Sequence, residues 1–195
     1  LYEPNMDMRD TIKYKEVMAS NNLGECETIL KNEYSINQNA SLLILKIDSC
    51  TIPGYTLTGV KQKNQDSFFL IKNFLSQDEH FFIGICDGHG LFGDLVSQYI
   101  SQTLPQHVKK ISDEDLIQAF IDTNNSLVTQ TKIDCSLSGT TCTSLIITLD
   151  KIICANIGNT RAILAKFENG YYNTVNLSRV IVHNFVTNLV YRVQR

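Results

Sequence analysis

The chain has 195 residues, 43% hydrophobic and 19% charged, a balance that excludes intrinsic disorder and suits one soluble domain with at most a short appendage. Seventeen Lys and Arg against twenty Asp and Glu give a net charge of −3, so no basic field invites a nucleic-acid partner. The longest apolar runs, such as Leu42-Leu43-Ile44-Leu45, fall far short of the roughly 20 residues that cross a bilayer, so no membrane span is expected.

The opening residues Leu1-Tyr2-Glu3-Pro4-Asn5 show no basic-then-apolar leader pattern. Six cysteines (Cys26, Cys50, Cys86, Cys135, Cys142, Cys154) form no C-x-x-C pair and no zinc-knuckle spacing. Several sit in apolar, strand-like runs, where a reduced thiol packs as a small hydrophobe. The expectation is reduced thiols in an intracellular setting, cytoplasmic or nuclear.

In chain order, residues 8–30 carry a broken helical pattern (Ile12, Val17, Met18, Leu23, Ile29, Leu30), interrupted by Asn21-Asn22 and Gly24. Residues 42–47 read as a short buried strand and Ile52-Pro53-Gly54 as a turn. Residues 67–71 and 81–86 are strands joined by the polar stretch 73–80. After a loop at 87–90, Leu95, Val96, Tyr99, Ile100 and Leu104 recur at helical spacing as far as Pro105. A second helix starts at Ser112, whose hydroxyl can cap it with help from Asp115, and buries Leu116, Ile117, Phe120 and Ile121. Strands follow over 142–149, 152–157 and 161–167, with a further one at 171–175 after the turn Glu168-Asn169-Gly170. Strands, two helices and then consecutive antiparallel strands argue for an α+β protein.

The chemistry concentrates in Cys86-Asp87-Gly88-His89-Gly90. An apolar strand delivers a carboxylate, an imidazole and two glycines to one place, and glycine lets backbone approach a ligand closely. Hard cations such as Mg²⁺ or Mn²⁺ take carboxylate, carbonyl and water oxygens. Taken alone, Asp-Gly is also a common turn pair with a surface histidine after it. Three further motifs flank it in order: Lys61-Gln62-Lys63-Asn64-Gln65-Asp66, Ser138-Gly139-Thr140-Thr141, and Ala155-Asn156-Ile157-Gly158-Asn159-Thr160-Arg161-Ala162.

With these four motifs in this order, the sequence resembles the metal-dependent protein phosphatases of the 2C type (the PPM family) over about residues 51–178. The resemblance implies an antiparallel β-sandwich flanked by helices in α-β-β-α layers. It also implies two Mg²⁺ or Mn²⁺ ions holding a water that attacks phosphoserine or phosphothreonine of a phosphoprotein substrate. Residue by residue, Asp87 bridges both metals, Gly88 offers its carbonyl, Asp66 holds a metal-bound water and His89 is the general acid. Ser138 to Thr141 support the strand entry beneath the metal site. Two carboxylates ~4 Å apart repel by about 4 kcal/mol at an effective dielectric near 20, which a divalent cation relieves.

The chain departs from the family pattern in several places. Lys61 stands where most members place a phosphate-binding arginine, giving a point charge without a bidentate fork. Gln65 replaces a common glutamate, and Gly158-Asn159 a glycine-aspartate turn. No Asp or Glu follows Glu168, so the family's later metal-binding aspartates are absent. The expected organisation is an N-terminal segment at 1–50, a partial phosphatase domain at 51–178 that is incomplete at its C-terminus, and a divergent tail at 179–195. A sandwich ending there exposes a sheet edge to a partner or a second copy. Two functions stay open: a metal-dependent serine/threonine phosphatase, or a catalytically inactive binding or regulatory module of the same fold.

Overall fold

The structure is a computed structural model that describes residues 28–38, 41–59, 62–179 and 190–194. It divides into two units, residues 1–62 and 63–195. In the first, strands β1 (Thr28–Gln38) and β2 (Ser41–Thr51) form an antiparallel hairpin in register from Thr28↔Thr51 to Gln38↔Ser41. The expected strand at 42–47 is therefore the middle of a longer one, and Ile29 and Leu30 are extended rather than helical. Backbone pairing with a neighbour decides such short apolar stretches, which periodicity alone cannot. The rest of 8–30 lies outside the described residues. Cys50 is disulfide-bonded, which corrects the expectation of reduced thiols at that residue. Cysteine spacing carries no information about which thiol finds a partner. Cys86, Cys135, Cys142 and Cys154 are free.

The second unit holds strands β3 (Asp66–Lys72) and β4 (Phe81–His89), helices α1 (Gly93–His107) and α2 (Asp113–Gln130), and strands β5 (Gly139–Thr140), β6 (Cys142–Ile147) and β7 (Lys151–Ile157). A hairpin of β8 (Ile163–Glu168) and β9 (Tyr171–Asn176) follows, and then β10 (Val190–Gln194). The main sheet runs β10-β7-β6-β4-β3, antiparallel throughout, and β5 pairs with the last residues of β4. The fold is α+β, as its sequence order implied. No helix among the described residues is long and apolar enough to cross a membrane.

Strand alternation gives the sheet two different faces. Cross-strand rows Phe69–Gly84–Ser144–Ala155 and Ile71–Phe82–Ile146–Ile153 lie on one of them. Against it pack Val96, Ile100 and Leu104 of α1 and Leu116, Ala119, Phe120 and Leu127 of α2, forming one apolar core. Phe82 touches Phe69 edge-on and Phe74 at a tilt, with ring centroids 4.9 and 4.7 Å apart. A Cβ on Gly84 would come within 2.3 Å of the Phe69 ring, so this glycine makes room for the aromatic cluster.

Helix starts follow capping chemistry. Ser112 Oγ accepts the Asp115 N–H at 3.2 Å, as its sequence predicts, and the Asp115 carboxylate accepts the N–H groups of Lys109 and Lys110 at 2.7 and 2.9 Å. Helix α1 has no side-chain cap of its own. Ser138 Oγ accepts the Phe92 N–H at 3.0 Å from a segment 46 residues away. Pro105 sits inside α1 rather than ending it, because only the last two residues follow it and little ladder is lost.

Candidate functional site

Asp66, the first residue of β3, pairs directly with Asp87 near the end of β4. Directly opposed residues of an antiparallel pair project from the same face with Cβ atoms about 4.5–5.5 Å apart. Burial, and then the negative charge of Asp87, push the Asp66 carboxyl above its ordinary range. The structure thus brings two of the four motifs together through a register that no local pattern specifies.

The Asp-Gly-His stretch is strand, not loop. Strand β4 continues through Asp87, Gly88 and His89 because Asp66 pairs on one side and Gly139-Thr140 on the other. Only Gly90 turns, at φ +85, where a Cβ would lie 2.2 Å from the Leu137 carbonyl oxygen. Gly88 is required by close approach: a Cβ there would lie 2.3 Å from the Gly93 carbonyl oxygen and 2.4 Å from that of Gln65. His89, two residues beyond Asp87, returns to the acid face. Its imidazole lies over Gly139, where a Cβ would stand 3.0 Å from Cε1 and Nε2.

Thr141 braces Asp87 from both sides of the peptide. Its Oγ1 accepts the Asp87 N–H at 3.1 Å, and its own N–H donates to the Asp87 carbonyl at 2.9 Å. Its methyl group is pressed by Gly158, at φ +94, where a Cβ would come within 2.7 Å. Gln65 donates from Nε2 to the Gly90 carbonyl at 3.0 Å, and its backbone carbonyl accepts Ser97 Oγ–H at 2.6 Å. Lys63 pairs with Asp94 in the first turn of α1 at 2.5 Å, which holds the Asp94 carboxyl below its ordinary range. Ser97 and the Lys63–Asp94 pair escaped the sequence reading, since no motif marks them. A small polar residue on the buried face of an amphipathic helix was the available signal for Ser97.

Lys61 lies outside the described residues. His107 Nδ1 meets Thr123 Oγ1 at 2.8 Å and ties α1 to α2. Nδ1 of His80 is buried and makes no hydrogen bond. Asn159 is exposed on its turn.

The donors fit a hard divalent cation in part. Two opposed carboxylates, one already pushed toward its protonated form by burial and then by the charge of the other, call for positive charge, and the Lys63 ammonium is committed to Asp94. Oδ1 of Asp94 and Oε1 of Gln65 are buried oxygens without hydrogen-bond donors. Among the described residues, no third His, Cys, Asp or Glu joins a cluster around these two acids.

Known proteins match the same stretch. The family model described as Protein phosphatase 2C matches residues 52–179, well over half of the chain. Probable protein phosphatase 2C 35 of Arabidopsis thaliana is 30% identical over 120 residues, covering 57% of this chain and 34% of that protein. Probable protein phosphatase 2C 18 of the same plant is 45% identical over 51 residues, 26% of this chain and 10% of that protein. The chain spans about a third of the length of such curated relatives. Among solved structures, a variant of a bacterial serine phosphatase superposes with a TM-score of 0.57 at 14% identity, covering 86% of this chain and 71% of its own. The serine-threonine phosphatase 2C from Toxoplasma gondii gives 0.55 at 12% identity, covering 80% and 51%. These neighbours share the fold, and the family-model match decides the membership: the chain belongs to the protein phosphatase 2C family.

Proposed function

We propose that this chain supplies the acid-bearing strand pair of a metal-dependent protein phosphatase acting on phosphoserine and phosphothreonine. The observation that carries the reading is the cross-strand register of Asp66 and Asp87. Their carboxylates, with the Gly88 carbonyl, would hold Mg²⁺ or Mn²⁺. When bound, such ions activate water and neutralise charge on a phosphoryl group.

The chain's own residues do the rest. Thr141 fixes the Asp87 peptide, so the carboxylate is presented without reorganisation. Gly88 lets β4 pass close to Gln65 and Gly93, which keeps the acids at the sheet edge rather than displaced from it. His89, on the acid face, donates a proton to the leaving alkoxide, a role typically worth 10²–10⁴-fold. Lys61 draws the phosphate as a point charge. In this reading residues 51–178 are the phosphatase part, with 1–50 and 179–195 outside it, and the substrate is a cytoplasmic or nuclear phosphoprotein.

The test is release of phosphate from phosphoserine and phosphothreonine peptides by the 195-residue chain, with Mn²⁺ and with chelator. Turnover that needs the metal and disappears in Asp87→Asn supports the reading. Turnover indifferent to both overturns it. One observation favours a second reading, a binding module without catalysis: Gln65 brings a neutral amide to the acid pair and commits its Nε2 to Gly90. That reading expects phosphopeptide binding by calorimetry with no phosphate released.

A further inference from the structure

Directly beneath the acid pair lies a second cluster that the proposed chemistry does not use. The register that pairs Ile85 with Thr143, and that joins Asp87 to Thr141 by two hydrogen bonds, sets Cys86 opposite Cys142. The Thr141 N–H donates to the Asp87 carbonyl, while the Asp87 N–H goes to the Thr141 hydroxyl. The register is the same on both flanks, Ile85↔Thr143 and Gly88↔Thr140, so Cys86 and Cys142 are directly opposed, with Cα atoms about 4.5–5.5 Å apart as in any antiparallel pair. That spacing lies within the roughly 4.4–6.8 Å that a disulfide spans. Both side chains point to the helix-covered face, both are buried, and both thiols are free.

We propose that Cys86 and Cys142 form a reversible cross-strand disulfide whose closure loosens the acid pair above it. Two thiols and one hydrogen peroxide give one S–S bond and two waters; the sulfurs are oxidised and the peroxide is reduced. A dithiol reductant reverses the step by exchange. Because the pair is buried, oxidation proceeds through local opening of the β4–β6 ladder rather than at an exposed surface. Each sulfur is one residue from the Asp87–Thr141 brace, so re-aiming the two side chains into one S–S bond shifts β4 against β6 and distorts the hydrogen bonds that aim Asp87. Bond formation stands on cysteine geometry alone, whereas its effect on the acid pair rests on the metal reading proposed above.

The experiment treats the full 195-residue chain with hydrogen peroxide, digests it without reductant and maps disulfides by mass spectrometry. In parallel, Mn²⁺ affinity is titrated before oxidation, after it, and after a dithiol. The expected result is a Cys86–Cys142 linked peptide that reductant removes, with Mn²⁺ binding weakened about tenfold, the low end for losing a support of a ligand. Cys142→Ala abolishes the response to peroxide; Cys86→Ala serves the same purpose should Cys142→Ala fail to fold. Oxidation that reaches Cys135 or Cys154 while Cys86 and Cys142 stay as thiols overturns the disulfide. A linked peptide with unchanged Mn²⁺ affinity overturns the coupling. Absence of Mn²⁺ binding in the reduced chain is a failure of the metal reading, and the peptide map then still decides the disulfide.

Discussion

The two faces of the main sheet do different work. On the helix side, Phe82, Ile146 and Ile153 are completely buried, and the rows they occupy are closed by α1 and α2. On the other side, the row Phe68–Ile85–Thr143–Asn156 leaves Ile85 60% exposed, one position before the cross-strand level of the acids is reached along that face. That side is not uniformly open, since Phe81 and Cys154 on it are buried at the far end, and burial pushes the Cys154 thiol up to about 11. Stability is concentrated under the helices, and charged chemistry stands at one end of the opposite face. The separation lets Asp66 and Asp87 crowd one another without disturbing the packing that holds their strands.

The largest expected difference between the faces is in stability. Phe82→Ala should cost about 3–5 kcal/mol by denaturant unfolding, because it removes a ring from the centre of the cluster with Phe69 and Phe74. Ile85→Ala should cost under about 1 kcal/mol, since most of that side chain is already in water. Equal losses would erase the distinction between the faces.

Gly88→Ala comes next. Its Cβ would meet two backbone carbonyls, neither able to rotate away, so a penalty of about 1–3 kcal/mol is expected, together with a displaced β4 end and weaker Mn²⁺ binding. Unchanged stability and unchanged Mn²⁺ affinity would show that the close passage at Gly88 is not needed.

Thr141→Val leaves the Asp87 N–H without its acceptor and should cost about 1–3 kcal/mol. Thr141→Ser keeps the hydroxyl and should retain the orientation of Asp87, losing only the methyl packed against Gly158. If Thr141→Ser binds Mn²⁺ poorly while Thr141→Val binds it normally, the methyl rather than the hydroxyl is what matters.

The smallest effect is a dependence on pH. The folded-state value of Asp66 is raised, so between its unfolded value near 4 and that raised value the folded chain binds more protons. In chelator, stability should therefore fall as pH rises through that window and stay lower above it. Asp87→Asn removes the charge contribution and should flatten the fall, leaving the part due to burial. Urea unfolding at a series of pH values checks both curves. A slope of opposite sign would mean that the two acids do not crowd one another.

Much of this was legible in the sequence because it is local. Periodicity and capping located α1 and α2, including the Ser112 cap, and alternation located β3, β4, β6 and β7. The Asp-Gly-His run marked the acid end of the sheet before any register was known. What escaped was set by distant partners. The extension of β4 through His89 depends on Asp66 and on Gly139-Thr140, and the bond that holds Phe92 at the start of α1 comes from Ser138. The disulfide at Cys50 and the link from His107 to Thr123 likewise need partners brought together only by folding.

The central claim is that Asp66 and Asp87 share one divalent cation. Calorimetric titration of Mn²⁺ into the unaltered chain, Asp66→Asn and Asp87→Asn tests it most directly. The account predicts saturable binding that each single substitution weakens by at least about tenfold, and that the double substitution weakens little further because one ion is lost once. Binding that survives both single substitutions, or losses that simply add, would contradict it.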